Sequence, residues 1–484
     1  MPPATDDAKH GAAAGRYLAG QSRPDKRAAQ IARHIETDII RRGWPVGEPL
    51  GSEQALQDSF GVSRSVVREA VRLVEHHQVA RMLRGPSGGL AVTAPDAEPA
   101  TRAMVIYLEY LGTTVGELLD ARLLLEPLAA ELAAERIDEA GIDRLRAIVG
   151  RSDAGEGDMH VVLAGLAGNA VLELFVDVLT RLTLRYAGGV ELGAQRHVAD
   201  VVEQITADHA AIVDAVAGGD SAKAKTLTAQ HVQLVTGWLD RQYRPDGQRR
   251  TTRPGTAGAG KRAELVAAEI REDIVAAGWP IGTVFGTESE LLARYGVSRS
   301  VLREAVRLLE YHTVARMRRG PGGGLVVTEP QPAAIVDTIA LYLEYRRPSR
   351  EDLRLVRDAI EVGNVVTVVR RRGDADVCAF LAAQRVAEPQ THEDFRQAGL
   401  AEFFFHADLD ELAGNRVLSL FLRILVELFR RHWMSTDQPM PGAGEAADVH
   451  RAHARIVEAV SDGDAGLAQH RARRHLEALS SWWI

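Results

Sequence analysis

The sequence predicts a mainly α protein in which one two-domain unit occurs twice: a small head with three short helices and a β hairpin, followed by an all-helical bundle. An internal repeat indicates the duplication. The segment from Gly43 to Thr93 returns 235 residues later, from Gly278 to Thr328, without a gap and with about two thirds of its positions identical. Solenoid repeats run only about 20–50 residues, so this period is that of a larger duplicated unit. After each repeat, long apolar stripes at helical spacing predict the bundles.

Composition places the boundaries between these units. Residues 1–24 lack periodicity and are predicted to be a flexible tail, and residues 243–259, rich in Gly, Pro, Thr and Arg, are predicted to be a linker. The predicted domains are a first head at 25–95, a first helical domain at 100–242, a second head at 260–330 and a second helical domain at 333–484.

The overall charge excludes a general polyanion binder. The net charge is −8 and the pI about 6.1, so any nucleic-acid site must come from local basic patches. The single cysteine, Cys378, excludes an intrachain disulfide and is expected to be a buried thiol. Polar residues interrupt the most apolar run, 161–179, which therefore predicts a core helix pair. These features predict a cytoplasmic protein with no membrane partner.

The first head has the order of a helix-turn-helix. Residues 25–42 carry an isoleucine stripe typical of a first helix, and Ser52 followed by Glu53 opens a second. Gly61 can adopt the positive φ that a sharp turn requires, and Ser63 can cap the third helix.

The third helix carries an arginine stripe opposite its apolar face, and a strand, a Gly-rich tip and a second strand follow it. This pattern predicts a winged helix-turn-helix, whose guanidinium groups suit the major groove. An arginine stripe is more often only a solvated face, but that interpretation must also explain the turn, the wing and their repetition. The stripe consists of Arg64, Arg68 and Arg72 in the first copy and of Arg299, Arg303 and Arg307 in the second.

The segment GVSRSVVREAVRLVE resembles the recognition segment of GntR-family transcriptional regulators. The resemblance implies that the first two arginines of each stripe contact bases or phosphates, that two serines contact phosphate, and that two wing glycines let the wing approach the minor groove. These serines and glycines are Ser63, Ser65, Gly88 and Gly89 in the first copy and Ser298, Ser300, Gly323 and Gly324 in the second. The family usually has Arg after the Ser-Glu of its second helix; Gln54 and Ser289 stand there, which predicts an altered operator preference.

Three histidines recur at matched spacing in the two helical domains. They are His160, His209 and His231 in the first copy and His406, His453 and His475 in the second. The last two of each set are 22 residues apart, across a helix, a Gly-Asp turn and a returning helix, so their rings can meet. A carboxylate, Glu156 or Glu402, stands four residues before each first histidine, on the same helical face. A lone core histidine is more often structural, but the repeated set favours a divalent metal site, with zinc expected and nickel or a similar ion as the alternative.

The arrangement resembles the FCD ligand-binding domain of the FadR subfamily of GntR regulators. That family has Asp where Glu156 and Glu402 stand, and the longer side chain would reposition the cation. It also has a helix with Arg and Glu at i, i+4, here Arg122 with Glu126 and Arg357 with Glu361. A surface ion pair within one helix is the alternative. The resemblance implies instead that the guanidinium binds the carboxylate of a small organic-acid effector.

The sequence therefore predicts a bacterial transcription regulator, expected to be a repressor and not an enzyme, made of two FadR-type units fused in tandem. Its partner would be a double-stranded DNA operator with two related half-sites. One chain could form the pseudo-dimer alone, with a further homodimer left open. Two alternatives remain: structural metal sites with no effector, and a metal-dependent hydrolase. The sequence has no HExxH motif, and a hydrolase function would not explain the two winged heads, so both observations argue against a hydrolase.

Overall fold

The computed structural model describes residues 26–83, 85, 88–149, 156–187, 196–242, 259–320, 322–386, 395–435 and 443–479. Within these ranges the chain is mainly helical, with two small three-stranded sheets, which confirms the predicted fold class. The predicted tail at 1–24 and the predicted linker, apart from Ala259 at the start of a helix, lie outside the described residues.

The first head is a helix-turn-helix with a wing. Its elements are α1 (Lys26–Arg41), β1 (Pro49–Gly51), α2 (Glu53–Phe60), α3 (Arg64–His76), β2 (Ala80–Met82) and β3 (Leu90–Val92). Gly61 ends α2 at φ 61, the left-handed conformation predicted for the turn. Antiparallel strands β2 and β3 form the predicted hairpin, but β1 also pairs with β3. The sequence did not indicate this third strand, because three residues with Pro and Gly at the ends carry no alternating pattern.

The first helical domain follows directly. Its helices are α4 (Ala97–Tyr110), α5 (Val115–Arg136), α6 (Glu139–Val149), α7 (Glu156–Leu166), α8 (Ala170–Ala187), α9 (Arg196–Ala217) and α10 (Ser221–Gln242). A capping box between Thr114 and Glu117 starts α5. The predicted core helix pair at 161–179 corresponds to α7 and α8.

The second copy repeats this order. Its head comprises α11 (Ala259–Ala276), β4 (Val284–Gly286), α12 (Glu288–Tyr295), α13 (Arg299–Tyr311), β5 (Ala315–Arg318) and β6 (Gly324–Val327). Its helical domain comprises α14 (Pro332–Arg346), α15 (Arg350–Arg370), α16 (Ala375–Val386), α17 (Phe395–Ala413), α18 (Arg416–Ser435), α19 (Ala443–Asp462) and α20 (Ala465–Leu479). The described part of α17 has 19 residues and that of its counterpart α7 has 11.

The two helical domains share a hydrophobic core, and the second domain has a further apolar cluster of its own. Phe175 of α8 and Phe421 of α18 occupy equivalent positions and stack with their centroids 3.9 Å apart and their planes 6° from parallel. The flanking contacts also occur in matched pairs. The Asn169 side chain donates to a backbone carbonyl at the start of α15 at 3.0 Å, and that of Asn415 to the equivalent carbonyl of α5 at 2.9 Å. A pseudo-two-fold axis therefore passes between the phenylalanine rings of one chain.

Each head packs against the helical domain of the other copy. In the first head Trp44 lies against Tyr345 of α14, with centroids 5.4 Å apart, and in the second Trp279 lies against Tyr110 of α4 at 5.3 Å. The copies are thus crossed: α14 supports the first head and α4 the second.

Two predictions about the whole chain can be compared with the structure. The thiol of Cys378 is exposed and donates to a backbone carbonyl, so the expectation that it is buried is wrong. It lies near the start of α16, whose outer side faces solvent. In the part of the chain that the structure describes, no helix is both long and apolar enough to span a membrane.

Candidate nucleic-acid interface and metal centres

The arginine stripe of the first head is exposed. The side chains of Arg64, Arg68 and Arg72 are 65%, 57% and 74% accessible, whereas Val67 and Val74 on the opposite side of α3 are buried in the core of the head. In the second head the equivalent arginines on α13 are exposed as well. The structure therefore presents both stripes to solvent from the helix that the sequence predicts to read DNA.

Glu53, at the start of α2, holds two of these arginines. Its Oε1 accepts from the Nε of Arg64 at 2.7 Å and from the Nε of Arg68 at 2.9 Å. The bond from Arg64, with a further contribution from Arg68, holds the pKa of the Glu53 carboxyl below its usual range. In the second head Glu288 lies 4.0 Å from the Nε of Arg299. The sequence analysis did not predict this contact. The glutamate that follows Ser52 was the one feature of the sequence that could have indicated it.

The predicted phosphate-binding serines form hydroxyl pairs. Ser63 and Ser65 lie 2.9 Å apart through their Oγ atoms, as do Ser298 and Ser300. Ser298 also caps α13 by accepting from a backbone N–H, but the side chain of Ser63 makes no capping bond to α3. Ser63 thus occupies the predicted N-cap position, but the expected capping bond from its side chain is absent.

The wing glycines have a packing reason for lacking side chains. A Cβ at Gly89 would lie 2.7 Å from the carbonyl oxygen of Gly51, and a Cβ at Gly324 would lie 2.6 Å from that of Gly286, so either would collide with the third strand of the sheet. Their neighbours are also tightly placed: Gly88 donates its N–H within the tip, and a Cβ at Gly323 would clash with the carbonyl of Arg318. The implied approach to the minor groove stays a prediction.

In the first helical domain, α7, α9 and α10 bring the three predicted histidines together. The Nε2 atoms of His209 and His231 lie 3.3 Å apart, and the rings of His160 and His231 stack at 5.1 Å. His160 and His231 are buried and His209 is half-buried. One nitrogen from each ring lies within 4.8 Å of the other two, a spacing at which three imidazoles can share one cation.

The second helical domain repeats the cluster on α17, α19 and α20. The Nε2 of His475 lies 3.2 Å from that of His406 and 3.1 Å from that of His453. The three ligand-type nitrogens again lie within 4.8 Å of one another. In both copies, the two histidines that are 22 residues apart meet across a pair of antiparallel helices, as expected from the sequence.

A carboxylate from the central helix orients the first histidine of each cluster. The Nδ1 of His160 lies 3.0 Å from Oε2 of Glu126, and the Nδ1 of His406 lies 2.7 Å from Oε2 of Glu361. Burial alone would raise the pKa of Glu126, but the charge of Arg122 and the hydrogen bond from His160 hold it well below the usual range. An ionised carboxylate accepts the Nδ1 proton and leaves Nε2 of the ring as an electron-pair donor. Sequence reasoning assigned these glutamates only to their arginines.

The donor set fits a divalent metal. Three nitrogens at about 2.1 Å from a tetrahedral zinc ion lie about 3.4 Å apart, close to the observed 3.1–3.3 Å between Nε2 atoms. The buried Nε2 of His160 makes no hydrogen bond within the described structure. Burial lowers the pKa of His209 to about 4 and that of His231 to about 2. Both rings are therefore neutral at pH 7, the form that binds metal.

Two further predicted ligands cannot be compared with the structure. The backbone of Glu156 begins α7 and that of Glu402 lies within α17, but the side chains at both positions lie outside the described part of the chain. The predicted role of these two carboxylates stays a prediction.

The predicted effector arginines lie beside the histidine clusters. Arg122 pairs with Glu126 at 2.6 Å, and Arg357 lies 3.6 Å from Glu361. Both guanidinium side chains are buried, with 2% and 5% accessibility. The alternative of a surface ion pair is therefore wrong, because each pair lies within the helical domain and its glutamate also contacts a histidine.

Two family models match this chain, each of them twice. The model described as bacterial regulatory proteins of the gntR family matches residues 27–87 and 262–325. The model described as the FCD domain matches residues 117–234 and 352–478. The gntR matches coincide with the winged heads and the FCD matches with the helical domains. The protein is therefore a bacterial transcription regulator with FCD-type helical domains.

Relatives match about half of this chain. The putative regulator RmpR of Mycobacterium gastri is 32% identical over 267 residues, covering 51% of this chain and 93% of that protein. LutR of Bacillus subtilis is 28% identical, covering 42% and 96%, and the Uxu operon regulator of Haemophilus influenzae is 27% identical, covering 43% and 79%. The chain belongs to the GntR family of transcriptional regulators, and its repeated domains fit two FadR-type units in tandem.

Proposed function

We propose that this regulator reads an operator with two related half-sites, one for each head of a single chain, and acts as a repressor in the cytoplasm. Each helical domain binds one divalent metal ion, with zinc favoured and nickel or a similar ion as the alternative. A small organic acid bound beside the metal changes the placement of the heads. The observation that carries this proposal is that three histidines come together in each helical domain, at equivalent positions of the two copies.

The DNA-binding part rests on the two exposed arginine stripes and on the crossed packing of the copies. Regulators of this kind pair two-fold protein symmetry with two half-sites. The pseudo-two-fold axis between Phe175 and Phe421 gives one chain that symmetry. Because the stripes match but Glu53 and Glu288 contact them differently, the half-sites should be similar rather than identical.

The metal-binding part rests on the chemistry of the donors. Imidazole nitrogens without thiolates suit zinc, nickel and related ions. When bound, such an ion would supply a Lewis-acidic centre for the oxygens of an organic acid. Glu126 and Glu361 orient the first histidine of each cluster, and the buried arginines beside them provide the positive charge that an organic acid needs.

The experiment is a pair of measurements on the full chain. Elemental analysis of protein purified without chelator should give close to two metal ions per chain, and well below one would contradict the metal sites. Adding organic acids to the operator complex should then change its affinity, typically by 1–3 kcal/mol of coupling free energy. If no acid shifts either operator affinity or thermal stability while metal is present, the metal sites are purely structural, the alternative that the histidine geometry also permits.

A further inference from the structure

The surroundings of the two buried arginines differ between the copies. In the first copy Arg122 donates to Glu126 at 2.6 and 3.2 Å and to the hydroxyl of Thr183 at 3.3 Å. The next residue on the helix is Leu123, which carries no charge. Arg122 thus contacts one carboxylate and one neutral hydroxyl.

In the second copy the equivalent guanidinium lies beside an additional carboxylate and beside an aromatic ring. Arg357 lies 3.2 Å from the carboxylate of Asp358 and 3.6 Å from that of Glu361. Its guanidinium also lies 5.4 Å from the centre of the Phe429 ring. Asp358 replaces the leucine of the first copy, and Phe429 replaces its threonine.

A second arginine does not offset the additional carboxylate. Arg354 contacts Asp358 at 2.9 Å, but it also contacts Glu351 at 2.6 Å. Among the described residues, the ion pairs connected to Arg357 join two arginines to three carboxylates, whereas the ion pair of Arg122 joins one arginine to one carboxylate. An incoming anion would be repelled by Asp358 and would meet an aromatic ring where the first copy presents a hydroxyl.

We infer that the two helical domains take different ligands: the first binds a metal ion with an organic carboxylate, and the second binds a metal ion and excludes the carboxylate. The inference rests on the proposed function, since both sites need the metal. It makes the first copy the sensor of the anion and the second copy a metal site that holds its half of the protein together.

Cobalt(II) reports the difference, because its visible absorption changes when a carboxylate enters the coordination sphere. The full chain is loaded with cobalt and titrated with sodium acetate at constant ionic strength, with sodium perchlorate as the control salt. About half of the cobalt absorption should respond at an acetate concentration about tenfold lower than the rest. A single transition that involves all the cobalt would overturn the inference.

Variants that keep only one of the two metal sites show which copy gives the response to acetate. His453→Ala with His475→Ala leaves the first site, which should respond to acetate, and His209→Ala with His231→Ala leaves the second, which should respond weakly. Exchanging the differing residues should exchange the behaviour: Asp358→Leu with Phe429→Thr should sensitise the second site, and Leu123→Asp should desensitise the first. A second site as sensitive as the first overturns the inference and leaves the metal sites intact, whereas failure of the full chain to bind cobalt overturns both.

Discussion

Trp44 of the first head packs against Tyr345 of the second helical domain, and Trp279 makes the equivalent contact with Tyr110 in the opposite direction. Both tryptophans have positive φ values, 58° and 53°, a conformation that costs a residue with a side chain about 1–2 kcal/mol. Such strain persists where the surroundings hold it in place. The indole N–H of each tryptophan donates to a carbonyl of its own head at 2.9 Å, so the ring is fixed to the head and its other side contacts the opposite copy.

Removing one ring from this contact should loosen one head. Tyr110→Ala is expected to lower the free energy of unfolding by about 1–3 kcal/mol, because the half-buried ring loses its packing against Trp279. Differential scanning calorimetry on the full chain measures the change. Tyr110→Phe, which removes only the hydroxyl bonded to Glu329, is the matched control and should be much milder. If both variants lower the free energy of unfolding equally, the hydrogen bond to Glu329, and not the ring packing, stabilises this contact.

The carboxylate beside the recognition helix should limit DNA affinity in the first head more than in the second. Glu53→Gln removes a negative charge bonded to two arginines, whereas Glu288→Gln removes one that lies 4.0 Å from a single arginine. We expect Glu53→Gln to raise affinity for non-operator duplex DNA more than Glu288→Gln does, since phosphate attraction dominates such binding. Binding isotherms at several salt concentrations measure this effect, and the reverse order would contradict the contact geometry.

Metal content should follow the histidine clusters and no other histidine. His231→Ala is expected to lower the content by close to one ion per chain, because it removes a ligand-type nitrogen from the centre of the first cluster. His470→Ala, on the exposed side of α20, is the control and should change nothing. Elemental analysis after gel filtration gives both values. Unchanged metal content in His231→Ala would contradict the site.

The first copy should also release its metal first. The described part of helix α7, which carries His160, has 11 residues against 19 in α17, and glycines flank Glu156 at its start, so its cluster has less helix to hold the first ligand. Titration of the zinc-loaded chain with a chelator should show two steps, and the weaker step should disappear in His209→Ala. Loss of the tighter step in that variant would reverse the assignment.

The sequence predicted what depends on local spacing. The arginine stripe, the turn at Gly61 and the meeting of His209 with His231 all follow from periodicity or from a helical hairpin of known length. The rest depends on contacts between distant segments. Strand β1 forms only because β3 pairs with it, and the crossing of the heads depends on how the two copies fold together. The role of Glu126 towards His160 required the relative placement of α5 and α7.

One chain is proposed to read a whole operator with both heads. The most direct test is the stoichiometry of the operator complex by sedimentation equilibrium, together with a footprint of both half-sites. One chain per duplex with both half-sites protected is expected. Replacing Arg64 and Arg68, or Arg299 and Arg303, by alanine should each weaken that complex by about 1–3 kcal/mol per lost base contact. Arg144→Ala, at an exposed position of the helical domain, is the control. Two chains per duplex, or a footprint unchanged after both arginine pairs are replaced, would contradict the claim.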